Sequence, residues 1–337
     1  MNPVNVAVIG YGWWGKIITA TLQASEFLNV VMVVENDPKV AVQATTDGST
    51  MGFEVGAEFK NAIENPAVEA IILCTPHQFH ANQIQLAANA GKHVFCEKPL
   101  CLTFTDAQAA IEACNKAGVK LGIGHERRFE PAIVALREEI AKGTLGTILQ
   151  IEANFSQDKF FALPKDNWRL SNKFAPVGPL TATGIHLVDL AIAIFGPAKE
   201  VWARLATRGS DFENGDTLGI MLAFEGGANA LISAILATPF DGRFCVYGSH
   251  GWIEIRDNTH PENPTGWNVT TQLRGQERTT HFMPPAPTVR FNLEAFAKGI
   301  RGVSPYPVQQ AEMLANVAAL EAIMRSVETK QLEIVKH

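Results

Sequence analysis

The stretch VNVAVIGYGWWGK, residues 4–16, constrains this chain more than any other. A β-branched run closes on Gly10, and Gly12 and Gly15 follow in G-x-G-x-x-G spacing, with the helical pattern KIITATLQAS directly behind. The next apolar run, LNVVMVVEN, reaches an acid, Glu35, about 20 residues beyond Gly15. A glycine triplet alone is weak evidence. Set between a strand and a helix, with an acid ending the second strand, it specifies a dinucleotide-binding βαβ unit. Gly10 permits the tight turn, Gly12 lets the backbone approach a pyrophosphate, and Gly15 lets the helix pack close to the strand. The helix N-terminus then stabilises the pyrophosphate charge. Glu35 can accept from the adenosine ribose hydroxyls and would repel a 2′-phosphate. Asn36 stands where an NADP site more often offers Arg or Ser. NAD is therefore the expected cofactor, with NADP the alternative because Lys39 is near. Tyr11, Trp13 and Trp14 belong to the same expected loop; the tryptophans either cover the cofactor or pack against a second domain.

The rest of the first third continues the alternation. AVEAIILCTP and KHVFCEKPL are strands apolar on both faces, FHANQIQLAANAG is the helix between them, and VKLGIG adds a further strand. Such a pattern predicts a Rossmann doubly wound parallel sheet over residues 1–124. Beyond it the strands lengthen and alternate in polarity: TILQIEANFS, EVWARLATR, TLGIMLAFE, NALISAILAT and RFCVYGS. Residues 125–337 are thus expected to form an α/β domain with an open, mostly antiparallel sheet, a hairpin at Gly226–Gly227, and helices such as 184–195 on one face. The apolar residues left on the other face (MLAF, LISAIL) predict a homodimer or homotetramer. The Pro-rich stretch 282–291 reads as a surface loop and 308–328 as an amphipathic helix.

Charge and composition narrow the class. Of the 337 residues 18% are charged and 47% hydrophobic, as in a folded globular protein, and a net charge of −6 gives no reason to expect nucleic acid or an anionic membrane as partner. No run approaches a membrane span, and the N-terminus has no basic region ahead of its apolar run, so no signal peptide is expected. Five scattered cysteines without C-x-x-C spacing suggest reduced thiols in a cytoplasmic protein, and no metal site.

Two segments end strands at the carboxyl edge, where folds of this kind bind ligands. CTPHQFH places Cys74, Thr75, Pro76, His77 and His80 there; the two histidines are read as cofactor-side contacts or helix caps, not metal ligands. FCEKPLCL places Glu97 and Lys98 beside the expected nicotinamide, where burial and the positive ring of the oxidised cofactor would lower the lysine pKa and suit it to proton transfer. The bland alternative is a surface Lys–Glu pair.

AVIGYGWWG, AIILCTPHQFHANQIQLAANAGKHVFCEKPLCLT, GHERRFEPAIVALREEIAKGTLGTI, NWR and GIHLVDLAIAIFG occur in the order seen in the glucose–fructose oxidoreductase and inositol dehydrogenase (Gfo/Idh/MocA) family, which the chain resembles over nearly its whole length. That resemblance implies an NAD(P)-dependent oxidoreductase acting on the carbinol of a sugar, polyol, uronate or dihydrodiol. It also implies that Lys98 and His186 handle the hydroxyl proton. Family members commonly carry an aspartate four residues before that histidine; here the position is Ala182. Three residues could substitute: Asp189, three positions after His186 and able to orient its ring, Thr183, or Asp166. Asp189 is taken as the third catalytic residue.

On the substrate side, His125, Arg127 and Arg128 of HERRF, with Trp168 and Arg169 of NWR, are expected to line the cleft together with Lys98 and His186. Three guanidinium groups would favour an anionic small molecule, unless they pair with Glu126, Glu130 or Asp166. The alternatives to an NAD-dependent dehydrogenase are an NADP-linked carbonyl reductase and a non-catalytic dinucleotide sensor.

Overall fold

A computed structural model describes residues 2–337. Two compact units emerge, one holding the chain up to Glu126 together with Pro287–Met313, the other holding Arg127–Ala286 and Leu314–His337.

In the first unit strands and helices alternate: β1 (Val4–Ile9), α1 (Trp13–Leu22), β2 (Leu28–Val34), α2 (Pro38–Met51), β3 (Glu54–Gly56), α3 (Phe59–Ile63), β4 (Ala70–Leu73), α4 (His80–Asn89), β5 (His93–Cys96), α5 (Phe104–Ala117) and β6 (Leu121–Ile123). The sheet runs β3-β2-β1-β4-β5-β6, with every pairing parallel. The order reverses between β1 and β4, so the carboxyl ends of those strands flank the switch point at which such sheets bind ligands. All four residues of β4 and most of β1 are buried, as a sheet covered on both faces demands. The helix ends follow from local chemistry. Asp37 caps α2 through the N–H groups of Lys39 and Val40, with Pro38 in the first turn, and Thr103 caps α5 through Asp106 N–H.

The second unit contains α6 (Pro131–Ala141), β7 (Ile148–Ser156), α7 (Ile185–Phe195), β8 (Ala198–Ala206), β9 (Thr217–Phe224), β10 (Asn229–Ile235), β11 (Asp241–Gly248), β12 (Gly251–Asp257), β13 (Trp267–Leu273) and β14 (Thr279–Met283). Their sheet is antiparallel except where β10 pairs with β7, and it extends beyond the five strands expected from the sequence by β12 to β14. Gly226 (φ 81°) and Gly227 (φ 87°) make the β9–β10 turn, as their position suggested. Helix α7 packs against β7 and β10. On the opposite face Leu231 of β10, Met221 of β9 and Trp202 of β8 stand directly across from one another, each 39–40% exposed.

The Pro-rich stretch is the clearest departure from the sequence-based expectation. Residues 282–283 finish β14, the turn is confined to 284–287, and α8 (Thr288–Ile300) begins at once. Helix α8 belongs to the first unit, so the expected division at residue 124 misses a segment that returns from late in the chain. The Phe296 ring sits 5.6 Å from that of Phe95, over Gly122, where a Cβ would come within 2.8 Å of both rings. Asn292 Nδ2 donates to Ile123 O (2.9 Å), and Ile123 N–H donates to Tyr306 Oη (3.2 Å), so the open edge at β6 is covered. The chain ends with α9 (Gln310–Thr329) and the short β15 (Glu333–Ile334), which pairs with β8.

Candidate active site

The glycine loop has the shape a pyrophosphate requires. Gly10 takes a positive φ of 88°, which a side chain would strain. A Cβ on Gly15 would lie 1.9 Å from Gly10 O, so only glycine lets α1 approach β1 this closely. At Gly12 a Cβ would meet nothing within 4 Å: the loop is open on that side. The α1 N-terminus has no side-chain cap and no acid in its first turn, leaving its dipole available to an anion. Glu35 is fixed beneath, 9% exposed, its two oxygens accepting from Tyr11 N–H (2.7 Å) and Asp37 N–H (2.9 Å). These residues fit a dinucleotide: backbone N–H groups for the pyrophosphate, and a carboxylate with lone pairs left for ribose hydroxyls.

The neighbouring side chains differ in exposure and partners. Trp13 is 42% exposed, whereas Trp14 packs on the unit's core. Tyr11 turns its ring into that core and donates its hydroxyl to Asp47 (2.9 Å), so only its backbone can face a ligand; burial and the Asp47 charge push its pKa up. The expectation for His80 is corrected. This residue is fully buried between the 74–76 and 97–99 turns, with Nδ1 2.8 Å from Pro99 O and Nε2 2.9 Å from Thr75 O, one of which accepts its single N–H in the neutral form, and it has no exposed edge for a cofactor. Thr75 Oγ1 donates to Gln83 (2.5 Å), while His77, 9% exposed, lies edge-on to His80. Glu97 is buried against Gly124, where a Cβ would come within 2.5 Å of its carboxylate, and accepts from Lys98 N–H (3.3 Å). Lys98 itself is half-buried at the carboxyl end of β5.

In the second unit, helical backbone from Gly178 passes through one turn of π-helix, residues 180–184, before α7. Ile185 N–H reaches back to Leu180 O. Such turns insert one extra residue into a helix and re-aim the side chains of the next turn. His186, 5% exposed, comes directly after it, its ring 6.1 Å from Phe155. Ala182, inside the π-turn, packs against the apolar cluster of Phe160, Leu170, Phe212 and Leu236. Two of the three substitutes for an acid at this position have partners of their own, while the third, Asp166, lies on the groove beside Trp168. Thr183 gives its hydroxyl proton to Pro179 O (3.2 Å). Asp189, expected to orient the imidazole, accepts with both oxygens from Arg128 Nε (2.6 Å) and Nη2 (2.7 Å), both side chains being buried.

Two of the three arginines take the alternative of carboxylate pairing, Arg127 with Glu130 as the sequence offered. Arg128 is neutralised by Asp189, and Arg127, 1% exposed, by Glu130 (2.9 Å) and Asp257 (2.7 Å). Burial pulls the Arg127 pKa down, but those two carboxylates outweigh it and raise it overall. His125 is buried as well. Arg169 stacks on its neighbour Trp168, 4.4 Å from the ring centroid. Trp168 lines a groove of about 400 Å³ with Asp166, Asn167, Phe174, Asp211 and Glu213. Three carboxylates against Lys165 make its wall acidic. Sequence reasoning missed His260, whose ring lies 5.5 Å from Phe155, the phenyl that also meets His186; a histidine in a Pro/Asn-rich loop carries no spacing signal. Among the described residues no cluster of three or more His, Cys, Asp or Glu could hold a metal, and no helix is long and apolar enough to cross a membrane.

A parallel sheet with a glycine loop at its switch point, in a chain that also forms an open mixed sheet, defines a dinucleotide-binding protein. Residues 4–125 match the oxidoreductase family with an NAD-binding Rossmann fold, and residues 133–254 match the GFO/IDH/MocA C-terminal domain. The chain belongs to the Gfo/Idh/MocA family, whose activity is NAD(P)-dependent. It is 28% identical to a levoglucosan dehydrogenase of Pseudarthrobacter phenanthrenivorans, over 84% of this chain and 74% of that protein. It is 23% identical to an NADP⁺-dependent scyllo-inositol 2-dehydrogenase of Bacillus subtilis, over 100% and 97%. Among solved structures, an aldose–aldose oxidoreductase from Caulobacter crescentus in complex with glycerol superposes with a TM-score of 0.86 at 26% identity, covering 98% of this chain and 99% of the other.

Proposed function

We propose that the chain is an NAD-preferring dehydrogenase of a neutral sugar, cyclic polyol or dihydrodiol, with Lys98 and His186 carrying the proton of the reacting hydroxyl. The observation that carries the reading is Lys98, half-buried at the carboxyl end of β5, on the same sheet edge as the glycine loop. The bound nicotinamide supplies the hydride acceptor, or the donor in the reverse direction. The chain's own residues do the rest. Gly12 and the first turn of α1 hold the pyrophosphate, Glu35 the ribose, Lys98 takes up or returns the hydroxyl proton, and His186 binds the oxygen it leaves. A neutral substrate is supported by the pairing of Arg127 and Arg128 with buried carboxylates and by the acidic wall beside Trp168. Sugar, inositol and dihydrodiol substrates are those for which related proteins are named. Five free thiols, four of them buried, suit a cytoplasmic enzyme. A second copy of the chain is proposed to cover the face of Trp202, Met221 and Leu231.

The test is turnover of NAD⁺ and NADP⁺ with neutral sugars, inositols, dihydrodiols and uronates, monitored at the absorbance of the reduced cofactor. Activity on neutral compounds that Lys98→Ala and His186→Asn each lower by about 10²- to 10⁴-fold, with cofactor affinity retained, is the expected result. Tight cofactor binding with no turnover on any compound would favour a dinucleotide sensor. Activity confined to uronates would overturn the neutral-substrate assignment.

A further inference from the structure

The connection between β8 and β9 carries no residue that handles the proton or holds the cofactor in the proposed chemistry, yet it holds the segment that leads to His186. Asn214 is 1% exposed. Its Nδ2 donates both protons to main-chain carbonyls of that segment, Arg169 O at 2.8 Å and Ala175 O at 2.7 Å. Its own main-chain carbonyl accepts from Gly178 N–H at 2.7 Å. Gly178 must be glycine for this approach, since a Cβ there would lie 2.8 Å from the Asn214 amide. One residue therefore grips the chain just after Trp168 and again where the helical backbone leading to His186 begins.

Asn214 is itself held rigidly. Gly215 turns the chain with φ 83°, and the next residue, Asp216, is fully buried. The Asp216 carboxylate gathers the N–H groups of Arg208, Gly209 and Ser210 at 2.8–3.0 Å and the hydroxyls of Ser210 and Thr217 at 2.8 Å. Its backbone bonds to Ala206 O and to Leu236 N–H on the flanking strands. The groove beside Trp168 is walled by residues 165–174 on one side and 211–213 on the other, and the Asn214 bonds join the two walls.

We infer that Asn214 is a positioning residue for the substrate side, fixing the groove wall at Trp168 and the start of the His186 helix through its amide; this rests on the parts given to that groove and to His186 under Proposed function. An amide is needed because both targets are acceptors. A carboxylate of the same shape would face two carbonyls with no proton to give.

The experiment compares wild type, Asn214→Ala, Asn214→Asp and Gly178→Ala on the best substrate found for the wild type. It reads substrate KM, kcat, NADH affinity by fluorescence, and hydrogen exchange of residues 165–186. Both Asn214 variants should raise substrate KM by about tenfold or more, speed exchange in 169–178 and leave NADH affinity within about twofold. An Asn214→Asp enzyme with wild-type KM would overturn the inference, as would faster exchange without any change in KM. If the Asn214 variants do not fold, Gly178→Ala decides in the same way, because it pushes the chain off an intact amide. A wild type inactive on every compound removes the dehydrogenase reading and this inference with it. An active wild type with KM unmoved in the variants removes this inference alone.

Discussion

Arg128 and Asp189 form a bidentate ion pair across 61 residues of sequence, Nε to Oδ2 at 2.6 Å and Nη2 to Oδ1 at 2.7 Å, with neither side chain more than 3% exposed. Both residues look like site chemistry in the sequence, and each is the other's neutralising partner. Removing one partner leaves an uncompensated buried charge. Arg128→Met should therefore cost about 3–5 kcal/mol of stability, and Arg128→Met with Asp189→Leu clearly less than the two single changes together. Urea denaturation of the four proteins measures this. Simple additivity would show that the pair is not coupled.

Glu35 is the residue on which cofactor choice should turn. Its carboxylate is pinned by Tyr11 and Asp37 N–H groups at the end of β2 and cannot swing away from a 2′-phosphate. Glu35→Ser should shift the ratio of kcat/KM for NADP⁺ over NAD⁺ upward by roughly tenfold, about 1.4 kcal/mol. An unchanged ratio would place the discrimination elsewhere.

Ala182→Asp would restore the residue type common in the family, yet here it should not raise turnover. Ala182 is partly buried, and the new carboxyl would lie against the cluster of Phe160, Leu170, Phe212 and Leu236. Its partial desolvation there costs about 1–3 kcal/mol. Desolvation would raise the folded-state pKa of the new group, so the penalty is largest at neutral pH and shrinks as acid protonates it. Denaturation at pH 5 and pH 8 checks the sign. Higher activity in this variant would mean that position 182 reaches the reacting oxygen.

His80 supplies a pH dependence. Burial lowers its pKa, partly offset by the carbonyls of Pro99, Thr75 and Leu100. The unfolded chain takes up the proton near pH 6.5 while the folded chain still resists it. Stability contributed by His80 is thus intact above about pH 6.5 and declines below it. His80→Asn should flatten the fall in urea midpoint between pH 7.5 and 5.5 relative to wild type; an equal fall in both proteins would remove His80 from the account.

Met221 sits at the centre of the exposed row formed with Trp202 and Leu231. A charge there would have to be desolvated if a second copy covers this face. Met221→Lys should shift the sedimenting species toward monomer with little effect on thermal stability. A wild type that already sediments as a monomer would refute the proposed pairing.

The first sheet was legible because its signals are local: a β-branched run closing on glycine, and an acid at a fixed distance. What the sequence could not convey is which charged groups meet. HERRF offers Arg127 its near neighbour Glu130, which it does meet, but its second partner, Asp257, and the partner of Arg128, Asp189, lie far along the chain where no spacing rule connects them. His80 shows the same limit on a smaller scale, since its carbonyl partners come from two different turns. Helix α8 was hidden for another reason: the prolines just ahead of it mark a turn, and they drew the boundary of the loop too far into the helix.

That helix also bears on how the molecule is made. Phe296 fills the seat over Gly122 and Phe95, and Asn292 and Tyr306 close the edge at β6. A chain emerging from the ribosome has all six strands of the first sheet by residue 123, but not the residues that complete their packing. The first six strands are therefore complete well before the residues that finish their packing have been made, and a fragment ending at residue 126 would leave that edge and those aromatic rings bare.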